Sequence, residues 1–327
     1  MGSIILRQES EIPLVNLGPF RAGEAGAKAA TAQAIGRALE TIGFFGLVNH
    51  GLPDSAVDRA LAAAREFFAL PIADKLHVKI NTSHRGYMPM ADQHRAEAKR
   101  PNLSESFLVG PELTADDPDV IAGKPMHGLN QWPLAPASLR PALDAYFADA
   151  SRLGFQLLEL FEASLELPDG FFRRCFQKPM PFIRALHYPP APDPRPEDLF
   201  GSAPHTDFGF LTIVTQDDAG GLQVGRRDGA WVDAPRMPGS CVVNIGDMLM
   251  RWTNDRFVST PHRVLNPKAR ERYSLAFFFD PDFDTVVECL PSCQGPGNPA
   301  RYAPTTWGYY ITERFNANHA YRKEAVS

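Results

Sequence analysis

The first part of the chain alternates between helix-like and strand-like patterns of apolar residues. Apolar residues recur at spacings of three and four over 24–42 and again from Asp54 to Phe68, which predicts two amphipathic helices. Short apolar runs at 12–15 and 44–48 predict buried strands beside these helices. Residues 1–110 are therefore expected to form an N-terminal α/β region that packs on a core formed by the rest of the chain.

A long segment without clear periodicity follows. Prolines and glycines recur throughout 80–136, so this segment is expected to form long loops. Long loops in a compact domain often cover functional sites, and we expect the loops near 80–110 and the C-terminal segment 296–327 to set substrate choice. A helix is predicted over about 137–167, where a long apolar stripe indicates a supporting role.

From about residue 181 the pattern changes to short runs of β-branched and aromatic residues, separated by glycine, proline and aspartate. The runs are FIRALHY, FGFLTIVTQ, GLQV, WVDA, CVVNIG, HRVL and RYSLAFFF. Closely spaced short strands without helices between them are typical of a sandwich or barrel. We therefore predict a mostly β fold with helical buttresses, in which a β core over 181–285 carries the site of a single catalytic unit spanning 1–327.

Composition and charge narrow the classes of protein. Hydrophobic residues make up 44% and charged residues 22% of the 327 residues, which is ordinary for a globular protein. The net charge of −5, without a block of lysines and arginines, argues against a nucleic-acid partner. The start MGSIILRQES lacks the features of a signal peptide, and no run of about 18 apolar residues predicts a membrane span. The four cysteines form no CxxC pair, so we expect free thiols in a reducing cytoplasm, with a monomer as the default.

The stretch PHTDFGF at 204–210 sets an imidazole and a carboxylate two residues apart at the start of an apolar β run. Residues i and i+2 of a strand point to the same face, so His205 and Asp207 are expected to project together into the barrel. His262, in STPHRVL, is the best candidate for a third ligand because it also begins a β run after a turn. Such a set leaves coordination positions open, as in non-heme Fe(II) oxygenases, although catalytic zinc also takes three protein ligands. A metal-free hydrogen bond between His205 and Asp207 is the alternative.

Two further strands carry polar residues on one face. Arg272 and Ser274 share a face of RYSLAFFF, where a guanidinium and a hydroxyl together suit the far carboxylate of a dicarboxylate ligand. A surface ion pair would explain Arg272 but not the apolar run that follows it. On FIRALHY, Tyr188 could donate its hydroxyl to the same ligand, and Arg184 could bind a substrate carboxylate or an internal acid. His187 falls on the opposite face and is expected to pack or to lie at the surface.

Together these residues resemble the iron- and 2-oxoglutarate-dependent oxygenases of the isopenicillin N synthase-like superfamily. The resemblance covers nearly the whole chain, and it is also carried by IPLVNL, GFFGLVNHGL, EFFALPIADK, RGYMP, NIGDMLMRWTND and STPHRV. It implies a double-stranded β-helix (jelly-roll) core and Fe(II) bound by His205, Asp207 and His262. It also implies 2-oxoglutarate bound to the iron through its keto-acid end, with its far carboxylate on Arg272 and Ser274 and with Tyr188 assisting.

Within the superfamily, the blocks KRPNLSESFLVG, AGKPMHGLNQWP and HTDFGFLTIVTQDDAGGLQV resemble the bacterial ethylene-forming enzyme and the microbial thymine hydroxylases more than the plant flavonoid enzymes. Leu186 stands where the plant pattern has an asparagine, so a role of that asparagine does not carry over. Phe208 replaces the tyrosine that follows the aspartate in the ethylene-forming enzyme, so its unusual product chemistry does not carry over either.

The resemblance implies oxidation, most simply hydroxylation, of a small molecule by O₂, with conversion of 2-oxoglutarate to succinate and CO₂. The alternatives are a 2-oxoglutarate-independent oxidase or cyclase of the isopenicillin N synthase type, an ethylene-forming enzyme and, outside enzymes, a metal-binding jelly-roll sensor. Loop, strand-face and family positions predict a substrate pocket, and its candidate residues are Arg184, Phe208, Phe278, Tyr87, Met88, Phe107 and Arg251.

Overall fold

The computed structural model describes residues 11–90, 92, 100–234 and 237–318, and the elements given below belong to these residues. The start of the chain and parts of the two segments expected to set substrate choice, 91, 93–99 and 319–327, lie outside them. The helices are α1 (Gly18–Arg21), α2 (Ala27–Thr41), α3 (Asp54–Phe68), α4 (Ile72–Leu76), α5 (Pro118–Ile121), α6 (Leu139–Ser164), α7 (Asp247–Trp252) and α8 (Trp307–Asn318).

The strands outnumber the helices. They are β1 (Leu14–Asn16), β2 (Phe44–Val48), β3 (Gly86–Met88), β4 (Glu105–Val109), β5 (Phe182–Tyr188), β6 (Ser202–His205), β7 (Leu211–Gln216), β8 (Leu222–Gly225), β9 (Trp231–Asp233), β10 (Ser240–Ile245), β11 (His262–Val264), β12 (Arg272–Phe279), β13 (Val286–Val287) and β14 (Thr305–Thr306). One sheet has eight strands in the order β1-β2-β10-β7-β12-β5-β4-β3, and a second has four in the order β6-β11-β8-β9.

Strands β5 to β12 form a barrel-like core between Phe182 and Phe279. They divide equally between the two sheets, and their neighbouring strands pair antiparallel. An apolar cluster lies between the sheets and includes Leu186, Val224, Val242, Val264 and Ala276. The two sheets therefore face each other across a shared interior, as the two layers of a jelly roll do.

The other face of the large sheet packs on helices. A second and larger apolar core lies between this face and the helices. Alternate residues of β12 point toward it, namely Tyr273, Leu275, Phe277 and Phe279, while the residues between them point into the barrel. The Phe279 ring lies so close to α6 that a Cβ atom on Gly154 would come within 2.7 Å of it. Glycine costs a helix about 1 kcal/mol relative to alanine, and here it lets the helix approach the sheet closely.

The N-terminal region is part of the large sheet and does more than pack against it. Strand β2 pairs with β10 at one side, and β4 pairs with β5 at the other, so residues before 110 extend the sheet at both edges. The expectation of loops throughout 80–136 is wrong, because this segment contains β3 and β4. Among the described residues, no helix is both long enough and apolar enough to cross a membrane.

Strand β4 escaped prediction because a charged residue is buried in it. Glu105 accepts hydrogen bonds from Lys75 and Tyr87, and it also bonds to Nδ1 of His187 at 2.7 Å. Burial alone would raise the pKa of Glu105, but the hydrogen bonds from His187, Lys75 and Tyr87 outweigh it and lower the pKa. His187 thus packs in the interior on the helix side of the sheet, which was one of the two environments expected for it.

Candidate active site

Three side chains of the types that bind metals converge at one end of the small sheet. His205 ends β6 and His262 begins β11, and the pairing of these strands places the two histidines opposite each other. Asp207 lies two residues beyond the end of β6, not on the strand as predicted, so the irregular segment after the strand carries it beside His205. One ligand atom from each of the three residues lies within 4.8 Å of the other two.

Hydrogen bonds fix the tautomers of both histidines. Nδ1 of His205 lies 2.8 Å from the carbonyl oxygen of Ala203, and Nδ1 of His262 lies 3.2 Å from that of Thr260. A carbonyl oxygen only accepts, so each Nδ1 carries the hydrogen and each Nε2 keeps its lone pair. These Nε2 atoms lie 3.8 and 3.7 Å from Oδ1 of Asp207, which is too far for hydrogen bonds. The arrangement has the spacing of ligands around an ion and does not contain the alternative His205–Asp207 hydrogen bond.

Two buried side chains orient the carboxylate. Oδ2 of Asp207 accepts hydrogen bonds from Oγ1 of Thr212 and from Nδ2 of Asn244, each at 2.7 Å. Oδ1 therefore remains as the atom directed between the two imidazoles. Partners of this kind are typical of metal sites, where they fix the ligand's orientation. Sequence reasoning missed both residues, although each is a polar side chain at a barrel-facing position of an apolar strand.

The NIGDM motif connects the segments that carry Asp207 and His262. The backbone N–H of Asp247 donates to the carbonyl of Asp207 at 2.8 Å, and Ser259, three residues before His262, donates to the Asp247 carboxylate at 2.7 Å. Gly246 is required here because a Cβ atom would lie 2.3 Å from the carbonyl oxygen of Gly209. Burial raises the pKa of Asp247 above its ordinary value.

Arg272 lies inside the barrel with its charge buried. Its Nε donates to the carbonyl of Gly220 at 2.6 Å, its Nη1 to Ser274 Oγ at 3.1 Å and its Nη2 to Gln216 Oε1 at 2.8 Å. The Tyr188 ring lies 4.6 Å from the guanidinium carbon. All three acceptors are neutral, and a guanidinium has five N–H groups, so an anion could take the remaining donors and offset the buried charge.

A cavity of about 70 Å³ lies beside the triad. Of the predicted pocket residues, the structure brings Arg184, Phe208 and Phe278 to its wall. The guanidinium of Arg184 is held by its Nε, which donates to Ser106 Oγ at 3.0 Å. The other lining residues outside the triad and its loop are His84, Phe182, Asp280, Ile311, Phe315 and Asn318.

Tyr87 and Phe107 do not line this cavity. The two residues pair directly across β3 and β4, and both rings face the helices, where they lie 5.9 and 4.8 Å from the ring of Phe67. Alternation along β4 turns Phe107 away from the barrel, and Tyr87 shares this orientation because it pairs with Phe107.

Met88 and Arg251 also lie outside the cavity wall. Met88 is buried on the barrel side of β3, where its sulfur lies 3.7 Å from Nη2 of Arg184, so it packs behind a wall residue. Arg251 belongs to α7, and its guanidinium lies over the rings of Tyr302 and Tyr310, at 4.5 and 5.4 Å. Nη2 also donates to the carbonyl oxygen of Ala303 at 3.4 Å, so these contacts hold the guanidinium away from the cavity wall.

Aromatic rings form much of the cavity wall. Phe182 and Phe278 stack with centroids 4.4 Å apart, and His84 and Phe315 stack at 4.3 Å. The two pairs meet edge to face where the ring planes of His84 and Phe182 make an angle of 87°. Phe182 could have been predicted, since it is two residues before Arg184 on the same strand face. Phe315 could not, because nothing in its helix indicates where the helix docks.

Comparisons with known proteins define the family. Residues 12–135 match the family described as non-haem dioxygenase in morphine synthesis N-terminal, and residues 179–281 match the 2OG-Fe(II) oxygenase superfamily. A relative from Emericella nidulans, the 2-oxoglutarate-Fe(II) type oxidoreductase hxnY, is 34% identical over 323 residues, covering 95% of this chain and 93% of its own. The chain therefore belongs to the 2OG-Fe(II) oxygenase superfamily.

Solved structures agree with this assignment. A full-length Neurospora crassa protein, solved in complex with alpha-KG and thymine, superposes with a TM-score of 0.84 at 26% identity, covering 97% of this chain and 100% of that chain. JOX2 in complex with 2OG, Fe and JA superposes with a TM-score of 0.77 at 26% identity, covering 99% and 93%. The predicted family and jelly-roll core are confirmed.

The predicted enzyme class is confirmed with the family. The protein is an Fe(II)- and 2-oxoglutarate-dependent dioxygenase that uses O₂ and acts on a small molecule. These matches favour that activity over the 2-oxoglutarate-independent oxidase, the ethylene-forming enzyme and the sensor considered from the sequence.

Proposed function

We propose that two sets of buried polar side chains inside the barrel bind the metal and the cosubstrate. Fe(II) is bound by His205, Asp207 and His262. The far carboxylate of 2-oxoglutarate is bound by Arg272, Ser274 and Tyr188. The observation that carries the proposal is the convergence of two Nε2 lone pairs and one carboxylate oxygen, each oriented by hydrogen bonds on its other side.

The spacing along the barrel supports the division into two sets. Thr212, which holds Asp207, and Gln216, which holds Arg272, lie four residues apart on β7. Four residues of an antiparallel strand span about 13 Å. A linear dicarboxylate with a metal bond at one end and an Arg272 contact at the other spans a gap of this order.

The bound iron supplies the redox chemistry by which O₂ converts 2-oxoglutarate to succinate and CO₂ and oxidises the substrate. His205, Asp207 and His262 would hold the ion through three side-chain atoms, which would leave room for the cosubstrate and O₂. The buried Phe182 ring and the partly buried Phe278 ring beside the triad would limit the access of water to the reacting centre. We propose a small ring compound as the substrate, with hydroxylation as the reaction, because flat aromatic walls stack well on flat rings.

We also propose that residues 1–110 and 181–285 act as parts of one monomeric catalytic unit in the cytoplasm, without a nucleic-acid partner. The single unit is supported by strand pairing between the two regions, because β2 pairs with β10 and β4 pairs with β5. All four cysteines are free thiols, which suits a reducing compartment. Light scattering of the purified protein tests the monomer, and a dimer mass would contradict it.

An anaerobic titration tests the metal and cosubstrate assignment. Adding Fe(II) and then 2-oxoglutarate should produce a weak visible charge-transfer band in the wild type, and His262→Ala should abolish it. His77→Ala is the matched control, because His77 is exposed on the surface and should leave the band unchanged. A band that persists in His262→Ala, or a wild type that forms no succinate from 2-oxoglutarate and O₂, would overturn the proposal.

A further inference from the structure

Asp280 is a buried carboxyl group at the wall of the cavity beside the triad. It directly follows β12, is 1% exposed, and lines the same cavity as Asp207 and Arg184. Neither the metal-binding set nor the 2-oxoglutarate-binding set includes it. A buried carboxyl group requires hydrogen bonds, so its partners can be accounted for atom by atom.

The protein satisfies one of the two carboxyl oxygens. Oδ1 accepts the backbone N–H of Phe210 at 2.6 Å, which fastens the carboxyl group to the loop that follows the metal-ligand pair. The approach is close, because a Cβ atom on Gly209 would lie 2.3 Å from Oδ1. Oδ2 makes no hydrogen bond with any residue that the structure describes.

Trp307 is the protein group that competes for Oδ2. Its indole is fully buried, and its Nε1 also lacks a hydrogen bond of ordinary geometry within the described part of the chain. Burial, followed by the nearby Asp207 charge, raises the pKa of Asp280 to about 7, while the Phe210 and Trp307 contacts act in the opposite direction. A carboxylate oxygen has two lone pairs, so Oδ2 keeps accepting capacity even where Trp307 approaches it.

We propose that Asp280 is a substrate-binding residue whose Oδ2 accepts a hydrogen bond from an N–H or O–H group of the substrate. The inference rests on the proposed function, because it takes the cavity beside the triad as the substrate site. Phe278 precedes Asp280 by two residues and lines the same cavity, where its ring stacks on Phe182. The substrate class is therefore a flat ring that carries its donor on the ring edge, next to a stacking wall.

The hydrogen bond also gives selectivity. A ring whose N–H or O–H is methylated would leave Oδ2 buried against a methyl group, without water or a partner. At a pH above 7, where the Asp280 carboxyl group is ionised, the loss of a hydrogen bond to it corresponds to a roughly ten- to hundredfold weaker affinity. An ordered water on Oδ2 is the competing explanation, and it predicts that both members of such a pair bind equally.

Matched ring compounds test the proposal. The pairs are uracil with 1,3-dimethyluracil, indole-3-carboxylate with its N-methyl derivative, and 4-hydroxybenzoate with 4-methoxybenzoate. Binding is measured under anaerobic conditions from the change each compound causes in the visible band of the Fe(II)–2-oxoglutarate complex. We expect the wild type to prefer a donor-bearing member by roughly tenfold or more. Equal affinities within every pair, or no binding by any compound, would overturn the proposal.

Variants assign the preference to Asp280. In Asp280→Asn, the amide oxygen can still accept from Phe210, while an NH₂ group replaces Oδ2, so the preference should disappear or reverse. Asp282→Asn is the matched control, because Asp282 accepts backbone N–H groups of 177 and 178 away from the cavity and should keep the preference. A preference that is unchanged in Asp280→Asn contradicts the assignment.

A second variant covers the case in which Asp280→Asn does not fold, and succinate formation separates the role of Asp280 from the proposed function. If Asp280→Asn does not fold, Trp307→Phe removes the competing donor and should strengthen the preference, and no change would overturn the proposal. Succinate formation from 2-oxoglutarate without added substrate reports on the proposed function alone. If the wild type forms no succinate, the proposed function is refuted. If it forms succinate but does not prefer the donor-bearing compound of any pair, only the role of Asp280 is refuted.

Discussion

The hydrogen bonds to Asp207 predict a measurable loss of metal affinity in Thr212→Val. This change removes the Oγ1–H that donates to Oδ2 and keeps the shape of the side chain. The position is 3% exposed, so water cannot readily replace the lost donor. Asn244 would remain as the second donor, and the carboxylate would be free to rotate away from the direction that points Oδ1 between the imidazoles.

The magnitude follows from the kind of bond that is lost. A hydrogen bond to a charged group contributes about 1.5–3 kcal/mol, and loss of a residue that orients a metal ligand weakens metal binding by roughly 10- to 100-fold. Because Asn244 still holds the same oxygen, we expect the lower half of that range. A tenfold change in the dissociation constant for Fe(II) corresponds to about 1.4 kcal/mol.

An anaerobic Fe(II) titration measures this constant, and Thr215→Val is its matched control. Thr215 lies on the same strand, is 2% exposed, and shares a hydrogen bond with the Tyr146 hydroxyl on the helix side of the sheet. Both variants lose one buried hydroxyl, so both should lower the melting temperature, but only Thr212→Val should weaken Fe(II) binding. Equal Fe(II) affinity in the two variants would refute the reasoning.

Three further predictions follow from buried charges. Arg272→Lys should raise the KM for 2-oxoglutarate by roughly tenfold or more, because a lysine cannot bind a carboxylate bidentately, and an unchanged KM would reassign the anchor. Lys75→Met should lower the free energy of unfolding by about 3 kcal/mol in urea titrations, since it leaves Glu105 buried with fewer partners, and a loss below about 1 kcal/mol would contradict this. Burial raises the pKa of Asp280 from 3.8 to about 7, so the folded chain binds this proton more tightly than the unfolded chain does. The free energy of unfolding of the metal-free wild type should therefore fall relative to that of Asp280→Asn as the pH rises from 3.8 to about 7. A difference between the two proteins that does not change with pH would exclude the effect.

Local signals predicted the regular elements well. Helix α3 has the predicted bounds Asp54–Phe68, and it lies between Pro53 and Pro71, which limit a helix at both ends. Strand β2 begins after Gly43, whose φ of 70° ends the preceding helix and suits glycine. β5 and β12 also begin and end as predicted, because long β-branched and aromatic runs leave little choice of structure.

The missed features depend on partners that are distant in sequence. Glu105 makes β4 look like a loop, and only the spatial approach of Lys75 and His187 explains a carboxylate within a buried strand. Helix α8 brings Ile311 and Phe315 to the cavity, and its own sequence contains no indication of that docking position. The C-terminal segment was expected to influence substrate choice, and this helix gives that expectation a structural basis, although the choice itself remains a prediction.

The two-residue repeat of a strand explains both where sequence reasoning succeeded and where it failed at the site. Along β12 the repeat puts Arg272, Ser274 and Phe278 on the barrel side, and it extends one step beyond the strand to Asp280. At His205 the ladder ends, and Asp207 lies in the irregular segment beyond it. Alternation holds only while hydrogen bonds to a neighbouring segment fix the backbone, as the bond from the Met180 N–H to the Asp280 carbonyl still does beyond β12. A site at a strand end without such a bond needs a second constraint. Here that constraint is the pair of hydrogen bonds to Oδ2 of Asp207, which makes their removal the sharper test of the metal assignment.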